Sequence, residues 1–249
     1  MSYALELENV SKQFGDKVAV NDLTLRLEEG SFLGLLGRNG AGKSTTLKMI
    51  MGLLKPTSGR IRVLGLDLAE RDIDIKRHVG VVPEDLALME YLTGPQYLRF
   101  VGRMYGLEDS VIQRRADELF AKLELAPAPR TLITNYSFGM KKKLALCAAL
   151  LHGPRVIFLD EPFEGIDAVT SRTIKEILQT LRSRGVTIVL TSHIMDVVEK
   201  LCPLIAILDH GKLLGFGELR DLTRQGSEDL ETLFVELVGG VQAGELSWV

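Results

Sequence analysis

Gly37-Arg38-Asn39-Gly40-Ala41-Gly42-Lys43-Ser44 is a stretch of this 249-residue sequence whose residue types and spacing can do chemistry. It fits the pattern G-x-x-x-x-G-K-[ST]. Its glycines let successive backbone N–H groups turn inward onto phosphate oxygens, and the helix expected after it adds the positive end of its dipole. Lys43 is placed to neutralise β- and γ-phosphates and the Ser44 hydroxyl to ligate Mg2+, and Thr45 is counted with them in the phosphate-binding set. The bland alternative is a glycine turn that merely joins two elements. An apolar run before the motif and helical spacing after it favour a bound nucleoside triphosphate instead.

A pair of carboxylates supplies the second half of such a site. Val156-Ile157-Phe158-Leu159 is an apolar run ending in Asp160-Glu161, and a parallel sheet opens its ligand crevice at that end of a strand. Asp160 suits a hydrated Mg2+, while Glu161, one residue further out, can act as general base on the attacking water. Standing alone, the pair would read as a solvated acidic turn. His193 follows a third apolar run, after Thr191-Ser192, and a histidine on that sheet edge can touch a γ-phosphate.

The elements that must hold these groups are legible from periodicity. Leu5 and Leu7, then Leu23, Leu25 and Leu27, alternate with polar residues on either side of Gly15-Asp16, which predicts two half-buried strands and a turn. Phe32–Leu36 predicts a strand buried on both faces, and Lys43–Leu54 a helix. Further strands are expected at Arg60–Leu64, Val79–Val82, Val156–Leu159, Thr187–Leu190 and Leu204–Leu208, with helices over 168–183 and 194–201. Between Glu84 and Leu151 strand patterns vanish and helices are expected near 94–105, 109–123 and 138–151. The alternation implies an α/β fold around a mainly parallel sheet, with an inserted helical lobe. Ala126-Pro127-Ala128-Pro129 reads as a loop, Lys141-Lys142-Lys143 as a solvated helix face, and Asp229–Leu237 as a short amphipathic helix before a Gly-rich end.

Composition narrows the function. The chain is 46% hydrophobic and 25% charged, which suits a buried core, and its net charge of -3 gives no overall positive field for nucleic acid. The longest stretches free of Asp, Glu, Lys and Arg, 144–154 and 185–195, are eleven residues each. That is about half of the roughly 20 needed to cross a bilayer. The N-terminus has neither the basic start nor the apolar run of a signal peptide. Cys147 and Cys202 show no metal-ligand or redox spacing and are expected as buried thiols of a reducing compartment.

With these motifs in this order, the chain resembles the ATP-binding subunit of ABC transporters from its first strands to about residue 240. Tyr136-Ser137-Phe138-Gly139-Met140 is similar to the family signature L-S-G-G-Q, matching it at Ser137 and Gly139. Physically, Ser137 reads as an N-cap and Gly139 as a point of close backbone approach. The resemblance implies further roles. Glu84, after Pro83, stands where the family has the Q-loop glutamine, which touches Mg2+ or water. Asp167 stands at the D-loop aspartate, and Phe14, twenty-nine residues before Lys43, at the aromatic that stacks on adenine. A core phenylalanine competes for Phe14.

The resemblance implies a P-loop NTPase core with a mainly parallel sheet, an N-terminal antiparallel β-subdomain and the inserted helical lobe. The expected domain is 1–240, with 1–83 and 152–220 as catalytic core, 84–151 as helical lobe and 221–249 as a short C-terminal extension. It implies ATP and Mg2+ as ligands, a second ATPase subunit joined head to tail, and a separate transmembrane permease. It also implies a place at the cytoplasmic face of the membrane, and the C-terminal residues and Pro83-Glu84-Asp85 look most like bacterial exporter-type subunits. The rival is a soluble ABC ATPase acting on the ribosome or on DNA, which normally carries two ATPase units or a long coiled coil. A P-loop kinase or GTPase would have no use for Ser137 and Gly139.

Overall fold

The computed structural model describes residues 2–126 and 130–239. The first two strands, β1 (Tyr3–Phe14) and β2 (Lys17–Glu28), form the hairpin expected around Gly15-Asp16. With β4 (Ser58–Val63) and the short β5 (Leu66–Asp67) they make an antiparallel sheet ordered β2-β1-β4-β5. A second sheet runs β10-β9-β3-β8-β7-β6. Its strands are β3 (Phe32–Gly37), β6 (Val79–Val82), β7 (Val156–Asp160), β8 (Thr187–Thr191), β9 (Leu204–Asp209) and β10 (Lys212–Glu218). The first five of these are parallel, and β10 pairs antiparallel with β9 at the edge.

Along β7 the side chains alternate between two hydrophobic clusters. Ile157 and Leu159 face the cluster that includes the helical lobe. Val156 and Phe158 face the one shared with the antiparallel sheet and α1 (Lys43–Ile50). Every residue of β3, β7 and β8 is buried. Two-sided burial is why these strands are continuous apolar runs in the sequence and not alternating ones.

The lobe is α3 (Gly94–Met104), α4 (Asp109–Lys122) and α5 (Phe138–Leu150), as the periodicity predicts. Thr93 starts α3 with a capping box, its hydroxyl accepting from Gln96 N while Gln96 Oε1 accepts from Thr93 N. The longer connecting helices are α6 (Ala168–Ser183) and α7 (Met195–Leu201), and α9 (Leu230–Val238) closes the described chain. Short helices α2 (Asp72–Lys76) and α8 (Leu219–Leu222) complete the set.

Three expectations change. The helix after the phosphate motif stops at Ile50, not Leu54, and Gly52 adopts φ +72° in the turn beyond it. Strand β10 was not expected, because Gly215 and Gly217 make a half-exposed edge strand look like a loop. The lysine run is no solvated face: Lys142 is buried and Lys141 and Lys143 are partly so. The reason is that α5 is enclosed by both the lobe and the parallel sheet, with Leu144–Ala149 all buried. Residues 127–129 of the expected loop and the Gly-rich end from 240 lie outside the described residues.

Candidate active site

Four adjacent parallel strands, β3, β8, β7 and β6, release their functional residues at one edge of the sheet. Gly37–Ser44 leaves β3, Thr191-Ser192-His193 ends and follows β8, Asp160-Glu161 ends and follows β7, and Glu84 follows β6. Parallel register makes neighbours of residues far apart in sequence: Asp160 pairs with Thr191, and Leu35 also pairs with Thr191.

A cleft of about 730 Å³ opens on this edge, lined by Phe14, residues 37–45, Glu84, Glu161 and His193 among others. Gly42 is the N-cap of α1 with φ +103°, a left-handed conformation open to glycine. Lys43 is buried and its ammonium donates to the Gly37 carbonyl at 2.7 Å. Phe14 is 49% exposed and lines the cleft, so it is not a core residue, and the Lys12 ammonium lies over its ring at 5.1 Å from the centroid.

Below the cleft a chain of hydrogen bonds joins α1, β7 and β8. The Ser44 hydroxyl lies 3.4 Å from Asp160 Oδ1, and the Thr191 hydroxyl donates to the same oxygen at 2.6 Å. Thr191 in turn accepts from the Glu161 backbone N–H at 2.9 Å. Asp160 is almost wholly buried, at 1% exposure, and these bonds satisfy it there. Glu161 has φ +46°, an uncommon conformation for a residue with a β-carbon and one met at functional sites. That turn aims its carboxylate at His193, whose Nδ1 lies 3.0 Å away and whose backbone N–H donates at 3.3 Å. A carboxylate held on one side by an imidazole and open to a phosphate-binding loop on the other can orient and deprotonate a water.

Glu84 shares the cleft with other acids. Burial first, then the charges of Asp160, Glu164, Asp85 and Glu161, push its carboxyl above the usual range. Among the described residues no three His, Cys, Asp or Glu side chains converge as a metal cage. Asp160 and Ser44 are a partial set of hard oxygen donors, which suits Mg2+ when phosphate and water supply the rest.

Ser137, Gly139 and Asp167 do not line the cleft. Ser137 caps α5, accepting from Met140 N at 3.2 Å, and Asp167 caps α6, accepting from Thr170 N at 2.9 Å. The bonds from the Thr170 N–H and hydroxyl hold the Asp167 carboxyl below the usual range. The two caps are neighbours: a β-carbon added at Gly139 would lie 3.9 Å from Asp167 Oδ2. Sequence reasoning missed Thr191 as the bridge between Asp160 and Glu161, and it missed Glu164, Met195 and Phe234 as cleft walls. Thr191 was detectable as a hydroxyl ending an apolar strand beside His193, whereas Phe234 arrives from α9 and carries no local signal. Cys147 and Cys202 are free and buried, as expected, and burial pushes both thiols up.

Comparison with known proteins agrees with this geometry. A family model described as ABC transporter matches residues 20–164. The chain is 38% identical over 232 residues to the linearmycin resistance ATP-binding protein LnrL of Bacillus subtilis, covering 93% of this chain and 75% of that one. It is 38% identical over 218 residues to the Nod factor export ATP-binding protein I of Cupriavidus pinatubonensis, covering 88% and 67%. A solved ATP-binding cassette, dimeric in a post-hydrolysis state with ADP and Pi, superposes with a TM-score of 0.80 at 27% identity, covering 87% of this chain and 99% of that one. The phosphate loop, the paired carboxylates and the histidine on one sheet edge therefore belong to an ATPase, and the chain is a member of the ABC transporter family, one of its ATP-binding subunits that power transport.

Proposed function

We propose that two copies of this chain, or this chain and a homologue, close head to tail on two ATP molecules and so drive a separate membrane permease in the direction of export. The observation that carries this reading is a division of the motifs. The cleft gathers the phosphate loop, Glu84, Glu161 and His193, while Ser137 and Gly139 lie outside it on another helix start. Each chain thus offers one phosphate-binding loop and one unused anion-binding helix start, and two chains can complete each other.

In the closed pair, Phe14 stacks on the adenine and the N–H groups of residues 37–45 with Lys43 hold the phosphates. Ser44 and Asp160, with Glu84 near them, would hold Mg2+, whose chemistry is to neutralise charge on the phosphates. Glu161 takes a proton from the attacking water, and His193 orients Glu161 and faces the γ-phosphate. Ser137 and Gly139 of the opposite subunit cover that phosphate, and Asp167 lies at the joint.

The permease takes its seat on the lobe. Met89, Tyr91, Phe100 and Met104 are exposed apolar side chains there, Tyr91 at 90%, and Glu90 among them pairs with Lys141 of α5. No helix among the described residues is long and apolar enough to cross a membrane, so attachment at the cytoplasmic face would run through that partner. The names of the relatives, one of resistance and one of export, support the outward direction.

The test is Glu161→Gln, which removes the base and spares the phosphate loop. Hydrolysis should fall at least about a hundredfold with ATP affinity retained. The variant should elute as a dimer with Mg2+ and ATP and as a monomer with ADP. Turnover above about a tenth of wild type would end the assignment of Glu161.

A further inference from the structure

Lys142 is a buried charge to which the proposed reaction gives no task. It lies one turn into α5, at 3% exposure, and its ammonium donates to the backbone carbonyl of Glu161 at 2.5 Å. The same carbonyl accepts a longer bond, 3.3 Å, from Glu164 N. The lysine therefore supplies the short bond in the turn that leaves β7, the turn in which Glu161 holds φ +46°. A backbone in that conformation persists only where its surroundings over-determine it.

A lysine is seldom buried unless it is paired. A purely structural ion pair would aim the ammonium at a carboxylate, but here it is aimed at a carbonyl. Burial lowers its pKa, and the charges of Glu164, Glu161, Glu84 and Asp160 oppose that shift, so the ammonium sits within the field of the whole acidic cluster. On its other side it lies 5.2 Å from the centroid of the Phe138 ring, the first residue of α5. Phe138 packs closely over Gly165, four residues beyond Glu161.

We infer that Lys142 is a positioning residue for Glu161: by clamping the Glu161 carbonyl it fixes the left-handed turn and hence the aim of the carboxylate, and through Phe138 it ties that aim to the start of the signature helix. The inference rests on Glu161 acting as the base. It assigns no contact between Lys142 and nucleotide, so its effect belongs in kcat and not in ATP binding.

The experiment compares Lys142→Met, which has no donor, Lys142→Gln, a neutral donor, and Lys142→Arg, a cationic donor. Steady-state hydrolysis of ATP with Mg2+, ATP affinity and thermal melting are measured on each full chain. Lys142→Met should lose about tenfold or more in kcat, because it removes a charge-assisted bond, with ATP affinity within about threefold of wild type. Lys142→Gln should be intermediate and Lys142→Arg the most active of the three. The inference falls if Lys142→Met keeps kcat within about twofold of wild type, or if ATP affinity and melting temperature fall along with kcat and Lys142→Arg restores nothing. Should Lys142→Met not fold, Lys142→Gln decides by the same criteria, and failure of both to fold makes the residue structural and also ends the inference. Glu161→Gln separates the two layers. If it hydrolyses ATP normally, the underlying reading fails; if it is inactive while Lys142→Met is normal, only the role of Lys142 is lost.

Discussion

The starts of α1 and α5 each carry a glycine, and they carry it for different reasons. At the head of α1, Gly42 holds φ +103°, and a β-carbon there would lie 2.6 Å from the Ala19 carbonyl oxygen of the neighbouring β2. Its own chain demands glycine twice over, by conformation and by contact. At the head of α5, Gly139 sits on ordinary helical backbone, and a β-carbon would meet nothing nearer than Asp167 Oδ2 at 3.9 Å. A glycine in a helix costs about 0.5–1 kcal/mol relative to alanine, and no close contact among the described residues requires it here. The first site is built by the chain that bears it. The second makes sense as a surface that something outside the chain approaches closely.

That contrast breaks most visibly at the second helix start. In a Glu161→Gln background that dimerises with ATP, Ser137→Arg should abolish the dimer by size-exclusion chromatography, because a bulky cation blocks the helix start. ATP binding to each subunit's own loop should stay near normal, and a surviving dimer would return Tyr136–Met140 to the status of a plain helix cap.

The paired alanine substitutions give opposite signs of stability. Gly42→Ala should lower the melting temperature of the nucleotide-free protein, since strain and overpacking together cost about 1–3 kcal/mol. Gly139→Ala should leave it unchanged or raise it by up to about 1 kcal/mol, while weakening ATP-driven dimerisation. Equal destabilisation in a melting experiment would show that both glycines serve their own chain.

Smaller effects test how the acid cluster and the lobe behave. Glu84→Gln should leave ATP affinity within about twofold and shift the Mg2+ dependence of hydrolysis, since it removes one negative charge beside Asp160 and Ser44. An unchanged Mg2+ titration counts against metal contact. The smallest effect is a pH dependence at the joint between α3 and α5. His152 stacks on Tyr105 with centroids 3.8 Å apart, and burial pulls its pKa from 6.5 to about 4. The unfolded chain therefore binds a proton that the folded one refuses between those values, so this stability is present above about 6.5 and lost as pH falls toward 4. His152→Phe keeps the stack and cannot titrate; its melting temperature should fall less than wild type between pH 7 and pH 5.

The sequence by itself determined which local pieces exist. Hydrophobic period, turn residues and the phosphate motif are local signals, so the buried strands, the three lobe helices and the loop from Gly37 to Ser44 could be read directly. The acidic pair and His193 were legible as candidate site residues because each ends or follows an apolar strand. What sits beside what was decided only by the tertiary structure. Parallel register set Thr191 between Asp160 and Glu161, and α9 brought Phe234 to the cleft wall. Enclosure of α5 turned Lys142 from an apparent surface charge into the group that holds the Glu161 carbonyl. The physical reason is that a charge in sequence has no burial until the fold supplies neighbours, and its free energy depends almost wholly on what those neighbours are.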